Sequence, residues 1–261
     1  MVNCLQLLYH RVPIEKRSCI HLKSQHRLRM PVFLLNNQNV FPSPDLAEDS
    51  GLLAVGGDLS PERLIAGYRL GIFPWFSRGD PLLWWFTSPR LVLFPDEFRI
   101  PKRLQRYRKN SDVKITRDKD FAQVIKACAE IRLQADEETW IVEEMQQAYL
   151  KLHGMGYAHS VECRIDGVLV GGLYGVALDK IFFGESMFSH ITNCSKFALI
   201  ELVSYLKSME YRLIDCQMTT DLLLSFGARE ITGKEFQTQL QSHIQNITPN
   251  GNWNNDFKNN E

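Results

Sequence analysis

Four apolar strands in close succession, with one long helix between the third and the fourth, constrain this chain more than any other feature. Ala158 to Ile165 reads as the first strand. Asp166-Gly167 follows, and a type I′ turn needs positive φ at both of its central positions. Val168 to Ala177 returns along the first strand, and Ile181 to Met187 makes the third. Residues 195–209 have helical spacing, and Tyr211 to Met218 is the fourth strand. Tight hairpins join antiparallel strands, whereas a connection as long as that helix lets the fourth strand run parallel to a neighbour. The expected fold is a mixed sheet flanked by helices, of the α/β (α+β) class. Further helices are expected over 101–109, 118–133 and 141–153.

The chain upstream has a different texture. Leu52 to Val55 is a short apolar run. Ser60 and Pro61 suit the cap and first turn of a helix that stops at Gly71. An aromatic block follows, Phe73-Pro74-Trp75-Phe76 and then Trp84-Trp85-Phe86. The texture changes again after Pro89. The organisation expected is a small N-terminal domain over 31–88, a mixed α/β domain over 89–248 and an Asn-rich tail over 249–261, read as disordered. Residues 1–30 carry Arg11, Lys16, Arg17, Lys23, Arg27 and Arg29 against Glu15 alone. They lack the apolar core of a secretory signal. They read as a basic extension, either a flexible arm or residues upstream of a start at Met30.

Composition excludes more than it suggests. Hydrophobic residues are 44% and charged residues 23%, the balance of a soluble globular protein. No apolar run approaches the ~18 residues of a membrane span. A formal net charge of zero selects no partner. The six cysteines include no C-x-x-C pair, so the spacing used for zinc or thioredoxin-like chemistry is missing and a reducing cytosol is expected.

Charge distribution is more informative. Phe98 to Asn110 holds Arg99, Lys102, Arg103, Arg106, Arg108 and Lys109 and no acid. On a helix opened by Pro101, Lys102, Arg106 and Lys109 fall at i, i+4 and i+7 with Arg103 beside them, while Leu104 faces away. A one-sided cationic stripe suits a phosphate backbone. A solvated helix face is the plainer alternative, and the lack of any compensating acid brings the two level.

Three further groups could carry chemistry. In Leu213-Ile214-Asp215-Cys216-Gln217, alternation puts Leu213, Asp215 and Gln217 on one face and Ile214, Cys216 and Met218 on the other. A carboxylate in an apolar strand is costly unless it is bonded or used. Asp215 beside Gln217 could orient an attacking amine, or cap a neighbouring turn. Glu185 follows an apolar strand and by alternation shares a face with Phe183 and Met187. A carboxylate between apolar walls suits a cationic amino acid or an α-amine, a surface turn being the alternative. Trp75, Trp84, Trp85 and Trp140 either stack on bases or belong to the core. His159 is a candidate general base without an evident partner in the sequence. Gly171-Gly172-Leu173-Tyr174-Gly175 lies inside a hairpin strand, and no P-loop Lys-Ser/Thr follows Gly56-Gly57-Asp58, so neither is read as a phosphate loop.

In order along the chain stand Gly56-Gly57-Asp58-Leu59, Gly71-Ile72-Phe73-Pro74-Trp75-Phe76, Trp84-Trp85 and Thr139-Trp140-Ile141. After them come Ala158-His159-Ser160-Val161-Glu162, Gly171-Gly172-Leu173-Tyr174-Gly175-Val176 and Gly184-Glu185-Ser186-Met187-Phe188-Ser189. Ser195-Lys196, Leu213-Ile214-Asp215-Cys216-Gln217 and Ser225-Phe226-Gly227-Ala228 close the set. With these pieces in register over roughly residues 33–246, the sequence resembles the bacterial leucyl/phenylalanyl-tRNA–protein transferases.

The resemblance implies a small N-terminal domain and an acetyltransferase-like (GNAT-like) domain. It implies transfer of Leu or Phe, less readily Met, from aminoacyl-tRNA to the α-amine of proteins beginning with Arg or Lys. That reaction belongs to the N-end rule degradation pathway of the cytoplasm and needs neither metal nor nucleotide cofactor. Residue by residue, it implies Asp215 and Gln217 as the catalytic pair. Trp75, Trp140, Glu185 and Met187 match the aminoacyl and terminal-adenosine site, with Leu173 and Phe182 as pocket walls. Lys102, Arg106 and Lys109 match the tRNA-binding cluster, to which the helical stripe adds Arg103. On this reading Asp215 holds Gln217, and Glu185 selects the basic acceptor. Departures are Asn110 where a second basic residue is common, Phe86-Thr87 between the tryptophans and Ser88-Pro89, and Leu222 in place of a histidine. Two competing readings remain. An acyl-CoA-dependent N-acyltransferase would need a glycine-rich pyrophosphate loop opening a helix. A tRNA-binding module without catalysis leaves Asp215 with Gln217 unexplained.

Overall fold

The computed structural model describes residues 32–133 and 139–254. The N-terminal part builds a four-stranded sheet. β1 (Phe33–Leu35) runs parallel to β2 (Leu52–Gly56). Helix α1 (Pro61–Arg69), β3 (Phe73–Pro74) and β4 (Leu83–Trp85) follow, and the strand order is β1-β2-β4-β3. The Ser60 hydroxyl accepts from the Arg63 N–H and Pro61 sits in the first turn, which fixes the start of α1. Gly71 ends the turn after α1 at φ +75°, where an added Cβ would lie 2.5 Å from the Phe236 ring. Only glycine fits both the backbone angle and the space.

Arg90 opens the second sheet. Its elements are β5 (Arg90–Leu93), α2 (Lys102–Lys109), β6 (Lys114–Arg117), α3 (Phe121–Leu133), α4 (Glu143–Gly154) and β7 (Ala158–Ile165). They continue with β8 (Val168–Leu178), β9 (Ile181–Ser189), α5 (Cys194–Ser208), β10 (Leu213–Gln217), α6 (Asp221–Ser225), β11 (Arg229–Ile231) and α7 (Gly233–His243). The order is β11-β5-β10-β9-β8-β7-β6, with β9 and β10 parallel and the other pairs antiparallel. This is the mixed α/β class read from the sequence. Asp166 and Gly167 take φ +49° and +79°, as the hairpin required.

The large sheet has two apolar faces. One packs on the N-terminal sheet, α1, α3, α4 and α7, through residues such as Tyr68, Phe86, Phe121, Tyr149, Phe183 and Phe236. The other packs on α5 and on Leu104 of α2, through Phe182, Leu173, Ile214 and Leu206. Gly171 and Gly175 serve this packing. A Cβ on Gly171 would come within 2.4 Å of Cys194 at the start of α5, and one on Gly175 within 2.2 Å of the Phe183 carbonyl oxygen.

Two irregularities in the sheet shape the site. β10 pairs with β9 only as far as Asp215 opposite Phe183. Beyond that point β10 stays with β5, while β9 continues along β8 to Ser189. The two parallel strands therefore splay. The β8–β9 register also shifts between Tyr174 and Gly175, which leaves Glu185 as an extra residue in a bulge.

Some expectations fail for these reasons. The bulge breaks alternation, so Phe183 packs in the first core and Met187 against the second; Glu185 does not share a face with both. Gln217 takes φ +58°, and Met218 packs with the first core instead of joining Ile214 and Cys216. The helix expected from 118 begins at Phe121, because Asp118 sits at φ +51° and binds elsewhere. The tail is not disordered from 249: Trp253 is buried, its N–H donates to Asp118 and its ring stacks on His159 at 3.8 Å. The basic extension at 1–30, Cys4, Cys19 and the end of the tail from 255 lie outside the described residues.

Candidate active site

The end of β10 is held by a buried ion pair. Arg90, on the neighbouring β5, donates from Nε to Asp215 Oδ1 at 2.8 Å and from Nη2 to Oδ2 at 2.7 Å. Both side chains are essentially inaccessible. Arg90 also donates to Thr87 Oγ1 and the Gly71 carbonyl, and its guanidinium lies 4.9 Å from the Phe73 ring and 4.7 Å from Phe236. Every Asp215 oxygen thus has a donor. Oδ1 accepts one more hydrogen bond, from the Gln217 N–H at 2.9 Å. That bond stabilises the left-handed backbone of Gln217, a conformation most side chains avoid. The expected link is present but altered: Asp215 holds the backbone of Gln217, and the carboxamide is held by something else.

That partner is Glu185. Gln217 Nε2 donates to Glu185 Oε1 at 3.1 Å, bridging the splay between β9 and β10 near its apex. With Nε2 committed, the carboxamide oxygen of Gln217 is the end of the amide that can accept a further hydrogen bond. Tyr68 of α1 and Tyr149 of α4 reach Glu185 from the first core, with their hydroxyls 2.7 Å from Oε1 and 2.9 Å from Oε2. The two hydroxyls lie 2.5 Å from each other. Burial pushes the Glu185 carboxyl up to about 7, opposed by the two phenols that bond its charged form. Both phenols are raised well above their ordinary value, mainly by burial and then by the adjacent carboxylate.

The remaining residues divide between the faces. Leu173, Phe182 and Met187 join the core on the α5 side, where Leu173 and Met187 are cross-strand partners. Trp75 and Trp140 are buried in the first core. Trp75 packs on Trp85, whose indole N–H donates to the Trp75 carbonyl. The structure therefore does not gather all six expected substrate residues on one face; the splay at Glu185 and Gln217 lies between the two groups.

Helix α2 packs on the α5 side through Leu104, and Lys102, Arg103, Arg106 and Lys109 are exposed. Arg103, Arg106, Tyr107 and Asn110 line a depression of about 320 Å³. Arg108 is the basic residue turned inward, and it shares Glu201 of α5 with Arg117. His159 is not placed as a general base. Its Nδ1 bonds Asp118 at 2.7 Å, it is fully buried, and Trp253 covers its ring. Among the described residues no group of three or more His, Cys, Asp or Glu side chains is arranged to hold a metal ion.

Residues 92–241 match the family described as leucyl/phenylalanyl-tRNA protein transferase, and residues 57–88 match the N-terminal domain of the same family. A leucyl/phenylalanyl-tRNA–protein transferase of Desulfotalea psychrophila is 56% identical over 224 residues, covering 86% of this chain and 99% of that protein. The chain belongs to that family. It is an enzyme, an aminoacyltransferase. A transferase of the same name from Syntrophobacter fumaroxidans is 52% identical over 86% of this enzyme and 96% of its own length, and one from Pseudomonas fluorescens 53% over 82% and 96%. Solved structures give a fainter likeness. An aminoglycoside acetyltransferase from an uncultured soil metagenomic sample matches at TM-score 0.36 and 13% identity, over 44% of the enzyme and 84% of that chain. L-PGS from Bacillus licheniformis matches at 0.39 and 11%, over 73% and 64%.

Sequence reasoning missed three members of the site. Arg90 was findable as the cation opening an apolar strand, in a fold that must neutralise Asp215. Tyr68 and Tyr149 look like ordinary core residues on helix faces, and only their convergence on Glu185 sets them apart.

Proposed function

We propose that the enzyme moves Leu or Phe, and less readily Met, from aminoacyl-tRNA to the α-amine of proteins beginning with Arg or Lys, in the cytoplasmic N-end rule pathway. Transfer from tRNA to protein follows from membership of the family. The observation that carries the site assignment is the pinned carboxamide: Gln217 is fixed through its backbone by Asp215 and through Nε2 by Glu185.

The aminoacyl ester is already activated, so the task is to bring an amine to it. On this reading Gln217 Oε1 accepts a hydrogen bond from the acceptor amine and aims it at the ester carbonyl. A carboxamide is too weak a base to hold the proton itself. The amine nitrogen forms the new bond to the carbonyl carbon, the bond to the ribose oxygen breaks, and that oxygen leaves as a hydroxyl. Leu173, Phe182 and Met187 supply an apolar wall without a charge, which favours Leu and Phe by shape and tolerates Met, since one methylene is worth about 1–3 kcal/mol. Trp75 and Trp140 are assigned to the terminal adenosine. Lys102, Arg103, Arg106 and Lys109 are assigned to tRNA phosphates. Glu185 has both oxygens engaged inside the protein, so we assign it to the α-amine end rather than to the acceptor's basic side chain.

The test is direct. Labelled phenylalanyl-tRNA is mixed with one protein beginning with Arg and with another beginning with Ser, with and without ribonuclease pretreatment. The proposal expects nuclease-sensitive label on the first and little on the second. Equal labelling of both would remove the acceptor assignment, and transfer from an acyl-CoA but not from tRNA would overturn the reading. Gln217→Glu separates the roles of the amide: loss equal to that of Gln217→Ala supports orientation, whereas activity well above it supports a base.

A further inference from the structure

Four oxygens of three side chains form a closed ring beside Gln217. Tyr68 and Tyr149 touch each other at 2.5 Å, and each touches one oxygen of Glu185, at 2.7 and 2.9 Å. Each contact of this length requires a proton between its oxygens. With Glu185 ionised, the phenols supply two protons for three contacts. If both donate to the carboxylate, the phenol–phenol contact has none and sets lone pair against lone pair. One added proton completes the ring. Glu185 Oε2 then donates to Tyr149, Tyr149 to Tyr68, and Tyr68 back to Glu185 Oε1, which still accepts from Gln217 Nε2. The geometry therefore favours the protonated ring while the two phenols still bond the anion, and it sits one side chain from the proposed position of the acceptor amine.

We propose that the Glu185–Tyr68–Tyr149 ring is the proton acceptor of the reaction, taking the proton that the acceptor's α-ammonium must lose before it can attack. This rests on the function proposed above. The step balances. R–NH3+ and the Glu185 carboxylate become R–NH2 and the neutral carboxyl, the proton passing directly or through a phenol that takes one proton as it gives up another. The amine then forms the amide, its second proton leaves on the ribose hydroxyl, and Glu185 returns its proton to solvent.

The surroundings fit the role. The charged and titratable groups facing Glu185 are Tyr68 from α1, Tyr149 from α4, Asp215 from β10 and Arg90 from β5. Arg90 is already committed to Asp215 in a bidentate pair and only partly offsets the effect of burial on Glu185, and among the described residues no cation forms an ion pair with Glu185. Its carboxyl, lifted to about 7, lies near an α-amine of about 8, so the proton can pass in either direction at small cost.

Glu185→Gln is the decisive variant, because an amide donates to Tyr149 and accepts from Tyr68 and Gln217 as the neutral acid does. The fold is therefore kept while proton acceptance is lost. The variant must wait for acceptors that are already free amines, roughly 3% of them at pH 6.5 for an α-amine near 8. Single-turnover transfer from phenylalanyl-tRNA should fall about tenfold below wild type at pH 6.5 and return to within about twofold at pH 9. A deficit of the same size at every pH would mean a structural role and overturn the inference, while wild-type transfer would leave the proposed function standing. Absence of transfer by wild type would instead sink the proposed function. A second readout needs no turnover: difference infrared spectra of wild type against Glu185→Gln should contain a protonated carboxyl band that disappears as pH rises through about 7. A band already lost at pH 5 would also overturn it.

Discussion

Arg90→Leu should be the most damaging single change around the site that touches no proposed substrate contact. Arg90 and Asp215 form a bidentate pair, 1% and 0% exposed. Removing one partner of a buried pair leaves the other uncompensated, at a cost of about 3–5 kcal/mol. The lost bonds to Thr87 and Gly71 add about 1 kcal/mol each, and leucine between Phe73 and Phe236 recovers part of that through packing. The net loss should be about 4 kcal/mol, read from urea denaturation midpoints at constant slope. The double variant Arg90→Leu/Asp215→Leu carries no buried charge, so it should recover at least half of that loss. It should not recover transfer, because the Gln217 N–H then has no acceptor. A single-variant loss below about 1 kcal/mol, or a double variant as unstable as the two single losses added, would refute the view that this pair is a sealed electrostatic unit.

Other changes have equally definite outcomes. Glu185 is held near 7 in the fold against an ordinary 4.5, so its contribution to stability is full below the unfolded value and is lost as pH rises through about 7. Glu185→Gln should therefore gain on wild type by about 3 kcal/mol between pH 4.5 and pH 8 in thermal or urea unfolding, and a pH-independent difference would contradict the assignment. Trp253→Ala removes a buried ring from between His159, Phe182 and Tyr205 and should lower stability by about 3–5 kcal/mol; a change under 1 kcal/mol would mean that the tail does not pack. Lys102→Ala with Arg106→Ala should raise KM for charged tRNA, leave the chemical step unchanged and flatten the salt dependence of binding by a slope of about 1.4–1.8, whereas a fall in kcat alone would remove α2 from the tRNA surface.

What was legible in the sequence follows from the range of the forces involved. The hairpin at Asp166-Gly167, the α1 cap at Ser60 and the long helix before β10 are local devices, and all three formed where the residues dictated. β6 and β11 are three- or four-residue edge strands whose existence depends on a neighbour, so no periodicity announced them. Asp215, Gln217 and Glu185 could be singled out because polar groups on apolar strands need a reason to be there. Their partners could not. Arg90 lies far from Asp215 in sequence, and the bulge that turns Glu185 toward Tyr68 and Tyr149 depends on the register of β8. Trp253 shows the same limit: an Asn-rich setting looked disordered, and the surface that receives its ring is assembled from His159, Phe182 and Tyr205.

The most direct test of the whole account is a crystal structure of the enzyme with phenylalanyl-adenosine in which an amide replaces the ester. The account predicts the phenyl ring against Leu173, Phe182 and Met187, and the carbonyl carbon about 5 Å from the Gln217 carboxamide oxygen, the gap an amine nitrogen spans with a hydrogen bond on one side and a near-attack contact on the other. An analogue bound elsewhere, or bound with its carbonyl turned away from Gln217, would contradict it.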